Sequence, residues 1–477
     1  MRRSYLTIAT LALVVLTPAL AQDIPLFTRD FPPEEFAARR AKVYDAIGPS
    51  FAVVQGAPIP EGYTRFRQFN EFYYLCGIEV PNAYLLLDGT TKRATIFLPR
   101  RNARREVGEG KTLSYEDAAE VMKLSGIEAV SAVDLMAETL IGFARRDPIP
   151  ALYTPLQPEE GGAMSRDLAL RVPADLSTDP WDGRPTRQQR FIELLRVRLP
   201  QFTIKDLSPV IDDLRVIKST RELDMMRKAT KLASLAIQES MRSTQPGMTE
   251  HELDGLAKLI FYRNGAQGDA YYSLIASGPN AIFPHYNAGK RKMDSGELLL
   301  MDYAPDYGYY MADVTRMWPV NGRWNESQRQ LYGFYVSAYE TILYSIRPHV
   351  PIADLQQQIR GKMEALAAGV KWLKPEYEKA AKTFVATALR PGAFGHYVGL
   401  ATHDVGRRSD SLKPGMVFTI EPALVVPEEK IYIRLEDMIV VTETGAEVLS
   451  DFLPRSMDGI EKLMKEDGLL KHYPKAW

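Results

Sequence analysis

The sequence predicts an α/β amino-terminal domain followed by an α+β carboxy-terminal domain. Strand-like and helical segments alternate through the first part of the chain, whereas later a pair of helix-capping signals leads into helices and then strands that carry acidic residues. A length of 477 residues also exceeds what one hydrophobic core ordinarily serves, so two domains are expected. The expected divisions are a signal segment at 1–21, the α/β domain at 22–208, the second domain at 209–460 and a tail at 461–477.

The amino terminus, MRRSYLTIATLALVVLTPALAQ, combines Arg2 and Arg3, an apolar run and a small-residue Ala-Leu-Ala site. This is the composition of a secretory signal cleaved after Ala21. The run is shorter than the ~20 residues of a membrane span, so no membrane attachment is expected after cleavage. Arg2-Arg3-Ser4-Tyr5-Leu6 also resembles a twin-arginine signal with tyrosine in place of the usual phenylalanine. A periplasmic or secreted protein follows. Its single cysteine, Cys76, excludes an intrachain disulfide framework despite that compartment. Without Arg2 and Arg3 the 60 acidic residues slightly outnumber the basic ones, a balance that offers nothing to nucleic acid.

In the α/β part, SFAVVQGA, AYLLLDG and RATIFLPR read as strands, and helices are expected from Tyr115 to Leu124 and from Thr186 to Arg198. Cys76 lies in an aromatic, strand-like run and reads as a buried packing thiol. Phe66, Phe69, Phe72, Tyr73 and Tyr74 suit a core or a subunit interface better than a ligand platform. The proline-rich, polar stretch from Asp147 to Arg187 is expected to be an irregular excursion, or alternatively a cover over the site. The joint falls near Asp206 to Arg215. Beyond it, Ser219 with Glu222 forms a capping box before an amphipathic helix whose Leu223, Met226, Ala233 and Ile237 face inward, and Thr249 with Glu252 repeats the signal.

The chemistry is concentrated in the second domain. In LLLMDYAPDYGYYMADVTR an apolar run ends at Asp302, a turn signal follows, and a second run carries Asp313. With Tyr307 and Gly308 as the central residues of a type I′ turn, Asp302 and Asp313 would stand directly opposite each other. Like charges so placed destabilise a sheet unless something neutralises them, and a cation is the simplest remedy. VFTIEPALVV and IYIRLEDMIVV repeat the arrangement with Glu421 and Glu436, while GAFGHYVGLATHDVG supplies His396. Any one such acid is ordinarily a solvated surface charge. Together, four carboxylates and one imidazole form a ligand set for two divalent ions, rich enough in oxygen to favour manganese, with cobalt or zinc as alternatives.

These motifs, MDYAPDYGYYMADVTR, GHYVGLATHDVG, TIEPAL and IRLEDMIVVTETG, occur in an order that resembles the pita-bread metallopeptidases, most closely Xaa-Pro aminopeptidases and next prolidases. DLRVIKSTRELDMMRKA and RQFNEFYYLCGIEVPNA extend the likeness toward the amino terminus. The resemblance implies a pita-bread catalytic domain with helices outside a curved antiparallel sheet. It implies a dinuclear centre held by Asp302, Asp313, His396, Glu421 and Glu436. Glu421 would serve as proton acceptor for a metal-bridging water. His285 would stand beside the substrate carbonyl or proton path, His403 would contact substrate and intermediate, and Arg434 would support the metal network. It further implies peptide substrates with proline in second place and a homodimer or homotetramer. Gly392 departs from the pattern, since the family often has histidine there, and this bears on specificity rather than hydrolysis. Prolidase action on Xaa-Pro dipeptides and a non-catalytic peptide-binding module remain the alternatives.

Overall fold

The protein was analysed as a computed structural model that describes residues 30–62, 64–161 and 164–473. The expected signal at 1–21, with its twin-arginine residues, lies outside the described residues.

Six strands of the amino-terminal part form one mixed sheet in the order β4-β3-β2-β1-β5-β6. They are β1 (Phe51–Gln55), β2 (Tyr84–Asp88), β3 (Arg93–Leu98), β4 (Ala129–Ala132), β5 (Leu152–Thr154) and β6 (Ile204–Asp206). The first three are the strands expected from sequence. They pair antiparallel, whereas β4, β5 and β6 join by parallel pairings. Phe51 to Val54 are buried without alternation, as in a strand covered on both faces. The expected helices form at Ala118–Ser125, entered through a tight turn at Tyr115–Asp117, and at Arg187–Arg198, where Thr186 and Gln189 make a capping box.

Two segments depart from the sequence expectation. The run around Cys76 is not a strand but the helix Asn70–Cys76, ended by Gly77 in a left-handed conformation. All seven of its residues are buried, so no polar face marks the helical period. Cys76 itself is fully buried, as expected of a packing thiol, and burial pushes it up to about 12. The stretch Asp147 to Arg187 is not merely irregular. It contributes β5 to the sheet, forms the helices Arg166–Ala169 and Val172–Thr178, and pairs its Ser165 backbone with His403.

The second part is antiparallel throughout its named pairings. Its strands are β7 (Gly268–Asp269), β8 (Leu274–Ser277), β9 (Leu298–Asp302), β10 (Pro305–Tyr307), β11 (Tyr310–Met311), β12 (Thr315–Pro319), β13 (Val417–Ile420), β14 (Ala423–Val426), β15 (Ile431–Arg434), β16 (Asp437–Val441) and β17 (Ala446–Val448). They form the groups β11-β10-β7, β12-β9-β8, β13-β16-β17 and β14-β15, and the bridge between Thr315 and Glu436 ties the second group to the third. Helices Thr220–Ser243 and Glu250–Arg263 start at the two predicted capping boxes. On the first of them Met226, Ala233 and Ile237 are buried, and Leu223 is half-buried against the same core. This is the pita-bread architecture: helices outside, a bent antiparallel sheet within.

Candidate metal centre

The first acid-bearing hairpin is real, but its turn is shifted by one residue. Asp306 pairs with Met311 and Tyr307 with Tyr310, leaving Gly308 and Tyr309 at the centre, both with positive φ. A tyrosine in that conformation is costly alone. Here the Tyr309 ring stacks on Tyr73 at 3.6 Å between centroids, and its amide donates to Asp306 at 3.0 Å. Tertiary packing therefore sets the turn. As a result Asp302 pairs with Thr315, and Asp313 lies in the irregular step between β11 and β12 rather than directly across from Asp302.

The two carboxylates nevertheless converge, because the Tyr271 hydroxyl reaches both, at 2.5 Å from Asp302 and 2.8 Å from Asp313. Oxygens of Asp302, Asp313 and Glu436 all lie within 4.8 Å of one another. The second hairpin keeps the symmetric register expected of it. Ile420 pairs with Asp437 and Ala423 with Arg434, so Glu421 and Glu436 fall opposite each other where β13–β16 gives way to β14–β15. Helix Glu326–Leu343 holds this break: Tyr339 donates to the Ile420 carbonyl at 2.9 Å and Tyr335 to that of Pro422 at 2.6 Å.

His396 enters from a segment laid along β13. Its Nε2 stands 3.4 Å from Glu421, 3.5 Å from Asp313 and 3.9 Å from Glu436, while Nδ1 is 3.0 Å from the Tyr397 carbonyl. A proton on Nδ1, donated to that carbonyl, leaves the Nε2 lone pair facing the carboxylates. That is the tautomer of a metal ligand. Arg434 binds Asp302 and lies 3.5 Å from Glu421, and Thr315 donates to Glu436 at 2.7 Å. Behind them Arg316, fully buried, holds Asp437 at 2.6 Å and donates to the Glu436 carbonyl at 2.9 Å.

Burial first, and then neighbouring carboxylates, push Asp313 and Glu436 well above the usual carboxylate range. One oxygen of Glu436, Oε1, is buried without a hydrogen-bond partner among the described residues. Crowded acids, an orphaned oxygen and an imidazole of the right tautomer fit divalent cations, which would satisfy all three at once. Two ligand groups share Glu436, one with Asp302 and Asp313 and the other with His396 and Glu421.

His403 stacks on His396 and can join Asp313 and His396 in a third such group. Burial, then the charges of His396 and His285, push its ring down to about 3. His285 is exposed. Sequence reasoning missed Tyr271 and Thr315, for which no motif gave a signal, and also the buried chain from Arg215 to Asp404 beside His403. Asp404 also takes Lys218 at 3.1 Å, and Arg215 holds Glu160 at 3.2 Å, tying this loop to the Asp147–Arg187 stretch.

Residues 224–443 match the model of metallopeptidase family M24, and residues 36–149 match that of the aminopeptidase P amino-terminal domain. The chain thus carries a metallopeptidase family M24 domain behind an aminopeptidase P amino-terminal domain. Its relatives include the Xaa-Pro aminopeptidase of Escherichia coli K12, 29% identical over 90% of this chain and 97% of that one. Among solved structures, E. coli aminopeptidase P with the inhibitor Pro-Leu superposes with a TM-score of 0.73 at 28% identity, covering 91% of this chain and 98% of that one. Proline aminopeptidase P II from Yersinia pestis matches equally, at 0.73 and 27%, over 91% and 99%. The M24 enzyme is thus a hydrolase of the Xaa-Pro aminopeptidase kind.

Proposed function

We propose that this M24 enzyme is an exported, dinuclear aminopeptidase that cleaves the bond between an amino-terminal residue and a following proline. The observation that carries the reading is the pair of ligand groups sharing Glu436, since one shared carboxylate between two sets is what neighbouring ions require. The set of Asp302, Asp313, His396, Glu421 and Glu436 suits manganese first, with cobalt or zinc able to substitute. Such ions would lower the pKa of water and polarise the substrate carbonyl.

The chain's own groups supply the rest. Glu421 has the most exposed carboxyl of the four acids, 28% against at most 6%, so solvent reaches it and it can take a proton from water and deliver it to the leaving nitrogen. His403 is held neutral at neutral pH and can donate one hydrogen bond to a developing oxyanion. His285 is exposed, and the family resemblance gives it a part beside the substrate carbonyl or the proton path. Arg434 fixes Asp302 and keeps net charge from accumulating. The leader at 1–21 supports export.

The test uses the mature protein stripped with chelator, then restored with manganese, cobalt or zinc. Release of the first residue from Xaa-Pro-Yaa peptides, and not from peptides without proline, is expected with manganese. Absence of turnover with every ion, or indifference to proline, would defeat the reading.

A further inference from the structure

The sheet groups β12-β9-β8 and β13-β16-β17 meet at the backbone bridge between Thr315 and Glu436. The two residues exchange both hydrogen bonds, at 3.3 and 3.1 Å, and the Thr315 hydroxyl donates to the Glu436 carboxylate beside them. Continued in antiparallel register, this pair would be flanked by Asp313 opposite Met438 and by Met317 opposite Arg434. The bridge is isolated, however, and neither flanking pair extends it. The Met438 carbonyl is taken by the Leu449 amide at 3.0 Å, and Met317 is paired with Leu300 of β9. The amides of Asp313 and Arg434 therefore face a junction that offers them no ladder carbonyl, although a buried N–H needs an acceptor.

The side chains of the same two methionines supply it. Met438 Sδ accepts from the Asp313 amide at 3.2 Å, and Met317 Sδ accepts from the Arg434 amide at 3.3 Å. The arrangement is reciprocal: on each strand the residue two beyond the bridge reaches across to the amide two before it on the other. Both methionines are fully buried, and the Thr230 hydroxyl meets the Met438 sulfur at 3.3 Å from helix Thr220–Ser243. A thioether is a weak acceptor, but its unbranched, adaptable stem spans a gap that a strand carbonyl cannot.

The two amides belong to the frame of the metal centre. Asp313 enters two of the three possible ligand groups, and Arg434 binds Asp302. We propose that Met317 and Met438 are positioning residues, a thioether clasp that fixes Asp313 and Arg434 where the backbone ladder has ended. The effect on metal binding rests on the proposed metal centre; the clasp itself does not.

Leucine is close to methionine in volume and is ordinarily tolerated in a core, but it has no acceptor. The test compares Met438→Leu and Met317→Leu with a control, Met363→Leu, at a fully buried methionine of helix Ile352–Ala368. In the metal-free proteins, hydrogen exchange resolved to single amides should quicken about tenfold at Asp313 in Met438→Leu, with Arg434 unchanged. In Met317→Leu it should quicken similarly at Arg434, with Asp313 unchanged. A general loss of packing would quicken both amides together. Manganese affinity, measured by calorimetry, should fall about tenfold in Met438→Leu, which loosens a ligand, and less in Met317→Leu, while Met363→Leu stays close to the parent. The parent gives a readout that needs no variant: its Asp313 and Arg434 amides should be protected to the same degree as those of Thr315 and Glu436. Free exchange at Asp313 and Arg434 in the parent, equal quickening of both amides in each leucine variant, or manganese affinity unchanged in Met438→Leu overturns the clasp. A parent that binds no manganese, with its amides behaving as expected, would instead leave the clasp standing and defeat the metal-centre reading.

Discussion

The imidazole of His403 lies over that of His396, with ring centroids 3.9 Å apart and planes inclined by 29°. Two half-buried rings so close make a positive charge on His403 unfavourable. His403 is held at about 3, chiefly by burial and then by the charges around it, against an unfolded value of about 6.5. The folded chain therefore prefers the neutral ring. Its contribution to stability is complete above about pH 6.5 and is lost as the pH falls toward 3. In the metal-free protein, His403→Gln should remove up to about 2 kcal/mol of the decline between pH 6.5 and pH 5. Denaturant titrations at the two pH values measure this. Parallel declines in parent and variant would contradict it.

Asp313 and Glu436 shift the other way. Burial and neighbouring carboxylates raise both, so the metal-free fold favours their protonated forms. That stabilising preference is present at acid pH and is lost as the pH rises from the ordinary carboxylate range through the raised values. Divalent ions replace the protons and remove the penalty. The gain in Tm on adding manganese should thus be larger at pH 8 than at pH 5.5. Calorimetry in buffers of different ionisation enthalpy should register proton release on binding. Equal gains at both values, with no release, would remove the linkage.

Glu421 separates ligand from base. Glutamine keeps its shape and one coordinating oxygen but cannot accept a proton at neutral pH. Glu421→Gln should lower kcat by about 10²–10⁴. Metal content by elemental analysis, if close to the parent's, assigns that loss to proton transfer. Activity within a few-fold of the parent would take Glu421 out of the role.

What could be read from the chain depended on whether its determinants were local. The Glu421 and Glu436 register was legible because one short connection governs a symmetric hairpin, and β13–β16 and β14–β15 keep that register on either side of the acids. The Asp302 hairpin was legible as a hairpin but not in its turn, since Tyr309 answers to Tyr73, far away in sequence. Similarly, Asn70–Cys76 carries no amphipathic period because its surroundings bury every side, and β5 is only three residues long within a proline-rich stretch. Tyr271 acquires its meaning only when folding brings Asp302 and Asp313 to the same hydroxyl.

Gly395 gives the sharpest steric test of how His396 is delivered. The segment runs against β13, with the Thr419 amide donating to the His396 carbonyl at 3.0 Å and Tyr397 bridging to Phe418. A Cβ at Gly395 would overlap the carbonyl oxygen and side chain of Thr419. The obstacle is strand backbone, which cannot swing aside as a flexible side chain would. Gly395→Ala must therefore push the segment off β13 and carry His396 Nε2 away from Asp313 and Glu421. An overpacking cost of about 1–3 kcal/mol is expected in denaturant unfolding of the metal-free protein. Weaker manganese binding should accompany it, because one ligand no longer meets the others. Gly392→Ala, by contrast, meets open space and pays only for its positive φ, so it should leave manganese affinity near the parent's. Should Gly395→Ala bind manganese as tightly as the parent, close packing against Thr419 would not be what positions the imidazole.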